Sequence, residues 1–193
     1  MDRRDEILAF IQPEMEKQFT VRSKAILAWC EKNAEQFVAE CLAPFVELFA
    51  RCTDLQSREE KGEIHYLCIS HLLSSILTDS YQFRLDLYDD RFLLDEDAVT
   101  EYWTVPYVFA SFNDDLTALQ NIIRKKFIRL APFEMEHIRI AYAEYHFALI
   151  ASLLKDLAGY IGVLGEPIQK AEEYKVLFGE LWGECFTIFP AEE

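Results

Sequence analysis

Positive charge is what this chain has least of. Its 193 residues carry 19 Lys and Arg against 34 Asp and Glu, a formal charge of -15. A protein that holds a nucleic-acid backbone needs clustered cations to release counterions, so the balance argues against a general phosphate-backbone binder. A basic partner or simple solubility suits the balance better, and mimicry of DNA by an acidic surface is a remote variant of the same idea. Long uncharged apolar runs are missing too. The longest, Tyr145 to Leu154, is about half a membrane span, and Ile7 to Ile11 near the start is too short for a signal peptide. No CxxC is present. The five cysteines, Cys30, Cys41, Cys52, Cys68 and Cys185, are odd in number and scattered, which reads as reduced thiols in a cytosol. Gly-x-Ser-x-Gly and a Gly-rich phosphate loop are also absent. Gly159, Gly162 and Gly165 follow a helical stretch rather than a strand and read as a loose connection.

What is present is core material. Hydrophobic residues make up 51% and aromatics 14% of the chain, enough to exclude global disorder and to fill one domain spanning residues 1–193. Helical periodicity dominates. Residues Arg22 to Cys52 predict a long amphipathic helix that Pro44 kinks or splits. Cys30, Cys41 and Cys52 recur every eleven residues on one stripe of it, as small apolar core residues rather than as a metal ladder. Ser57-Arg58-Glu59-Glu60 has the form of a capping box and predicts a helix through Ile64 to Leu77. Asp95-Glu96-Asp97 predicts the start of a short helix to Trp103. Asn113-Asp114-Asp115 predicts another, ending in Arg124, Lys125, Lys126 and Arg129, where base at the helix end suits the macrodipole. Pro132 suits the first turn of a helix from Phe133 to about Ala158, and Pro167 predicts a last one through Cys185.

One segment resists. Tyr81, Phe83, Leu85 and Leu87 alternate with Gln82, Arg84, Asp86 and Tyr88, the period of a strand. Asp89-Asp90 supplies a turn and Arg91 to Leu94 can return, which predicts a hairpin. The expected fold is therefore mainly α: a single-domain helical bundle of about six or seven helices with one β-hairpin at about residues 80–94. Two strands alone leave two unpaired edges. Pairing of one edge with a second copy or a protein partner, flanked by Tyr102 and Trp103, is the expected mode of contact, with Arg84, Asp86 and Tyr88 on the exposed face.

Chemistry-bearing groups are sparse. Glu134-x-x-His137 puts a carboxylate and an imidazole on one helix face, and Glu144 lies two turns further on. These three could form a mononuclear metal site in a helical-bundle enzyme, although di-iron bundles require a second Glu-x-x-His pair that is missing. Asp89, Asp90, Asp95, Glu96 and Asp97 lack the order and central glycine of a calcium loop. The aromatic groups Tyr102 to Phe112 and Phe178 to Phe189 are core material or interface anchors. The reading is a non-enzymatic cytosolic interaction or regulatory domain with no cofactor, no nucleic acid and no membrane. The metal-dependent enzyme and a binder of a small apolar ligand are the alternatives.

Overall fold

The computed structural model describes residues 2–189, and the order of its elements overturns the bundle expectation. Two long helices, α1 (Arg3–Lys32) and α2 (Ala34–Ser57), lead into strand β1 (Ile64–His71) and a short helix α3 (Leu73–Leu77). Then come β2 (Gln82–Tyr88), a 3-10 turn (Phe92–Leu94) and β3 (Val99–Thr104). Helices α4 (Pro106–Phe109), α5 (Phe112–Ile123), α6 (Pro132–Asp156) and α7 (Ala158–Leu164) come next, and the described chain closes with β4 (Lys170–Glu180) and β5 (Cys185–Phe189). The strands form one five-stranded mixed sheet in the order β3-β2-β1-β4-β5. The protein is thus an α/β fold, not an all-α bundle with a hairpin.

Strand β1 is the centre of the sheet. It runs antiparallel to β2, with Leu67 opposite Leu87 and Ile69 opposite Leu85. On its other side it runs parallel to β4, with Leu67 opposite Val176 and Ile69 opposite Phe178. Five consecutive residues, Leu67 to His71, are buried, because a central strand is covered on both faces. Such a continuous apolar run carries no period of two, and length alone separates it poorly from a buried helix. That is why Ile64 to Leu77 predicts helix. Ser57 ends α2 instead of opening a new helix.

The inner face of the sheet packs on helices. His71 stacks on Phe147 of α6 at 4.0 Å, and Phe83 and Phe178 meet the same cluster. Arg22 of α1 grips Asp115 of α5 through both oxygens, at 2.6 and 3.0 Å, and the Tyr142 hydroxyl of α6 donates to the same carboxylate at 3.0 Å. Asp115 is therefore a tie between three helices rather than a cap; the residue before α5 is Ser111. Helix α5 ends at Ile123, so Arg124, Lys125 and Lys126 lie beyond it. The break in the first long helical stretch falls at Asn33, whose side chain donates to the Trp29 carbonyl at 2.8 Å. Pro44 sits inside an unbroken α2, because Glu40, whose carbonyl it deprives of a donor, is exposed and can be satisfied by water.

Gln56, buried at the end of α2, joins the segments that lead into the two parallel strands. Its amide donates to the Gly62 and Gln169 carbonyls at 2.8 and 3.0 Å, and its carbonyl accepts from the Gln169 N–H at 2.8 Å. Replacing Gln56 by Ala removes all three of these hydrogen bonds, each worth a net ~1 kcal/mol. Urea unfolding of Gln56→Ala should show a loss of roughly 3 kcal/mol. The exposed Gln36→Ala control should stay within about 0.5 kcal/mol of the wild type. Equal midpoints for the two variants would show that the junction does not depend on this side chain.

Candidate functional site

The period of two in β2 sends Phe83, Leu85 and Leu87 into the core and leaves Arg84, Asp86 and Tyr88 on the face away from the helices. Cross-strand neighbours complete that face: Cys68 and Ser70 of β1 opposite Asp86 and Arg84, and Thr100 and Tyr102 of β3 on the other side. Asp86 is fully buried. One of its oxygens accepts from Arg84 Nε at 2.9 Å and from the Thr100 hydroxyl at 2.5 Å. Its second oxygen has no partner among the described residues. Burial and the Asp86 charge together hold the Tyr88 phenol well above the ordinary tyrosine range.

Two rims stand over this face. The first is the loop after β2, organised by Asp95. Its carboxylate takes the buried Lys61 ammonium, the Asp89 and Asp97 backbone N–H groups at 2.9 and 3.0 Å, and Arg91 at 3.2 Å. Asp95 therefore serves lysine and backbone, which accounts for the acidic density without a metal. The loop lays Phe92 edge-on against Tyr66 and Tyr88 at a left-handed φ of 52°. The second rim is the β4–β5 turn, where Trp182 adopts φ 64° and is 65% exposed. Between the rims lies a cleft of about 40 Å³, floored by Cys68, Ser70 and Gly179, with room for about three waters. Gly179 is required there. A Cβ on it would stand 2.2 Å from the Glu184 carbonyl oxygen and 2.5 Å from Cys185 Cα, both backbone atoms.

Of the residues predicted for partner contact, Arg84, Asp86, Tyr88 and Tyr102 share this face, but only Tyr102 is well exposed, at 52%. Trp103 points the other way and is buried against Phe45 and Phe83. The hairpin edge does not exist in the form expected. Arg91 to Leu94 turn rather than return, and β2 is paired on both sides, by β1 and β3. Asp95 to Trp103 likewise yields a strand, β3, where a helix was expected.

The metal set is dispersed. Glu134 binds Arg3 at 2.6 Å and closes the start of α6 by accepting the Ala131 N–H at 2.8 Å, and Arg3 is what holds its carboxyl below the usual range. His137 is partly exposed and Glu144 exposed. Ten residues of helix set Glu134 and Glu144 about 15 Å apart along the axis. No three His, Cys, Asp or Glu side chains come together as metal donors among the described residues.

Nucleophile and base are separated as well. Ser70 lies on the open face, while its neighbour His71 lies on the helix side. Burial holds the Cys41 and Cys52 thiols up at about 11 and Cys68 higher still, so these sulfurs stay protonated and unreactive. The residues that sequence patterns missed are in the last strand pair. Phe178 to Phe189 reads as a helical core cluster, yet Phe178 is buried while Trp182 and Phe186 are exposed. The alternation of Tyr174, Val176 and Phe178 with Lys175 and Leu177 before the Gly183 turn was the available signal. No family model, curated protein or solved structure matches the chain.

Burial lowers both inner histidines, His71 and His146, from 6.5 to about 4. Above pH 6.5 both are neutral, folded or unfolded. Below it the unfolded chain takes up protons that the folded chain refuses, so stability falls with acid until about pH 4. Between pH 6.5 and 5, above the range of ordinary carboxylates, each histidine should remove about 2 kcal/mol. His71→Phe keeps the stack on Phe147 and should remove about half of the slope in urea unfolding measured across that interval. A wild-type stability that is flat from pH 6.5 to 5 would contradict neutral burial of these rings.

Proposed function

We propose that this chain is a non-enzymatic protein-interaction domain that meets its partner around the β4–β5 turn and the adjoining open face of the sheet. The observation that carries this reading is Trp182. A large aromatic side chain is held 65% exposed on a left-handed backbone that costs about 1–2 kcal/mol for an ordinary residue. Other residues share the left-handed region, among them the exposed Glu59, Asp79 and Arg129, but only at Trp182 does it hold out a large aromatic ring, and tryptophan is enriched among interface anchors. Leu93, on the opposite rim of the same cleft, is 37% exposed, and Leu94 beside it is 80% exposed.

The acid–base inventory supports a binding role over a catalytic one. The two buried histidines are neutral, the buried thiols protonated, and the Glu134 carboxylate is already committed to Arg3 and the α6 start. All five cysteines are unpaired, which supports a reducing compartment such as the cytosol. No single helix among the described residues is long and apolar enough to cross a membrane.

Photo-crosslinking in the source cells tests the reading. A benzophenone side chain at position 182 should give discrete protein adducts, whereas one at Val21, 70% exposed on α1, should not. Trp182→Ala should weaken the captured complex at least tenfold while leaving the melting temperature within a few degrees. Equal adduct patterns at both positions, or none at 182, would contradict the proposal. Stoichiometric iron, manganese or zinc in the purified protein that disappears in His137→Ala would replace it with the metal-dependent enzyme.

A further inference from the structure

The two edges of the sheet differ in what they can meet. The chain itself closes the β3 edge. Arg51 of α2 donates to the Thr100 carbonyl at 2.8 Å and to the Glu101 carboxylate at 3.2 Å. That carboxylate also accepts the Tyr102 N–H at 3.0 Å. An incoming strand would have to displace an ion pair to reach this backbone. Among the described residues no such guard stands at β5, whose only strand partner there is β4. Cys185 to Phe189 contain no charge and no proline, the two devices that most often blunt an edge. An open groove of about 670 Å³ runs along all five of these residues beside Lys155 and Ala158, and Phe186 is 51% exposed.

Charge decides between occupants. Glu180 and Glu184 flank the turn that opens β5, on a chain of net charge -15. A second copy would set the same two glutamates and the same net negative charge against this chain, acid against acid. A segment with lysine or arginine beside its strand would meet the opposite charge, and the field of the whole molecule would steer it in.

We infer that the β5 edge docks an extended segment of a basic protein partner, which adds as a sixth strand and sets its flanking cation against Glu180 and Glu184. The inference rests on the interaction reading above and names the partner class. Backbone pairing supplies the affinity, and the flank supplies the choice of partner.

The test uses the whole chain and fluorescein-labelled synthetic peptides, read by anisotropy. One peptide alternates threonine and valine over five residues behind two lysines, a second carries two glutamates instead, and a third is the lysine peptide N-methylated at alternate amides. The lysine peptide should bind at least tenfold more tightly than the glutamate peptide. Glu184→Lys should reverse that order, and N-methylation should abolish binding without any change to the protein. Equal binding of the two flanks, indifference to N-methylation, or no binding at millimolar peptide would overturn the inference. So would a concentration-dependent dimer, seen by sedimentation, from which the peptide is excluded. Adducts at position 182 with no peptide binding would remove the strand-addition mode and keep the interaction reading; failure of both experiments would remove both.

Discussion

Parallel pairing of β1 with β4 is the interaction on which the rest of the molecule depends. Leu67 and Val176, or Ile69 and Phe178, lie side by side although more than a hundred residues separate them in sequence. No turn can make such a pair, because parallel neighbours require a crossover. Here the crossover is most of the protein: β2 and β3 extend the sheet on one side before the chain turns back through α4 to α7. Once β4 is in place, its inner residues Val176 and Phe178 close the core over Phe83 and Phe147. Gln56 then ties the entrances of both strands to α2. Without β4, one side of β1 would be bare and β5 would have nothing to pair with.

The division of labour between the two faces stems from that centre. The helix side takes the large apolar groups and keeps its histidines neutral. The other side is covered only by loops, so its polar groups have to be satisfied by one another. Arg84 and Thr100 do this for one oxygen of Asp86, and Asp95 does it for Lys61 and two backbone amides. A buried ion pair such as Lys61 with Asp95 adds little net stability as a pair, yet loss of one partner leaves a charge uncompensated at about 3–5 kcal/mol. It fixes the loop that carries Phe92, and thereby one wall of the cleft. The opposite wall is the tight β4–β5 turn, which closes only because Gly179 has no Cβ.

Local patterns in the sequence reveal local structure and little beyond it. The alternation in β2 correctly separates Phe83, Leu85 and Leu87 from Arg84, Asp86 and Tyr88, and Pro132 marks the start of α6 as expected. The Asp89-Asp90 turn is also present. Past that turn the chain departs from a hairpin, because the Asp95 carboxylate gathers Asp89, Arg91 and Asp97 into a compact loop and Phe92 turns back over the sheet. Tyr88, expected to be wet, packs against Phe92 of that same loop, and Asp86 is buried where it accepts from Arg84 and Thr100. The strands β1 and β4 went unread for a different reason: their partners are remote, and β1, buried without a break from Leu67 to His71, has no alternation to betray it. Acidic residues before Val99 resemble a helix start, but Asp95 spends its carboxylate on a lysine and the chain extends instead. Of the five residues predicted for contact, four share one face of the sheet, but only Tyr102 is well exposed. The exposed turn and free edge beside them depend on β4 and β5, and so were not visible in the sequence.

Amide hydrogen exchange, resolved by residue, tests the central role of the β1–β4 pair most directly. If the sheet is built around it, the N–H groups of Leu67, Ile69, Val176 and Phe178 are the slowest in the chain. They should exchange together, with the free energy of global unfolding, and β3 and β5 should open earlier. Exchange of Val176 and Phe178 far faster than that of Leu67 and Ile69 would show that β4 is not fixed to β1, and would contradict the account.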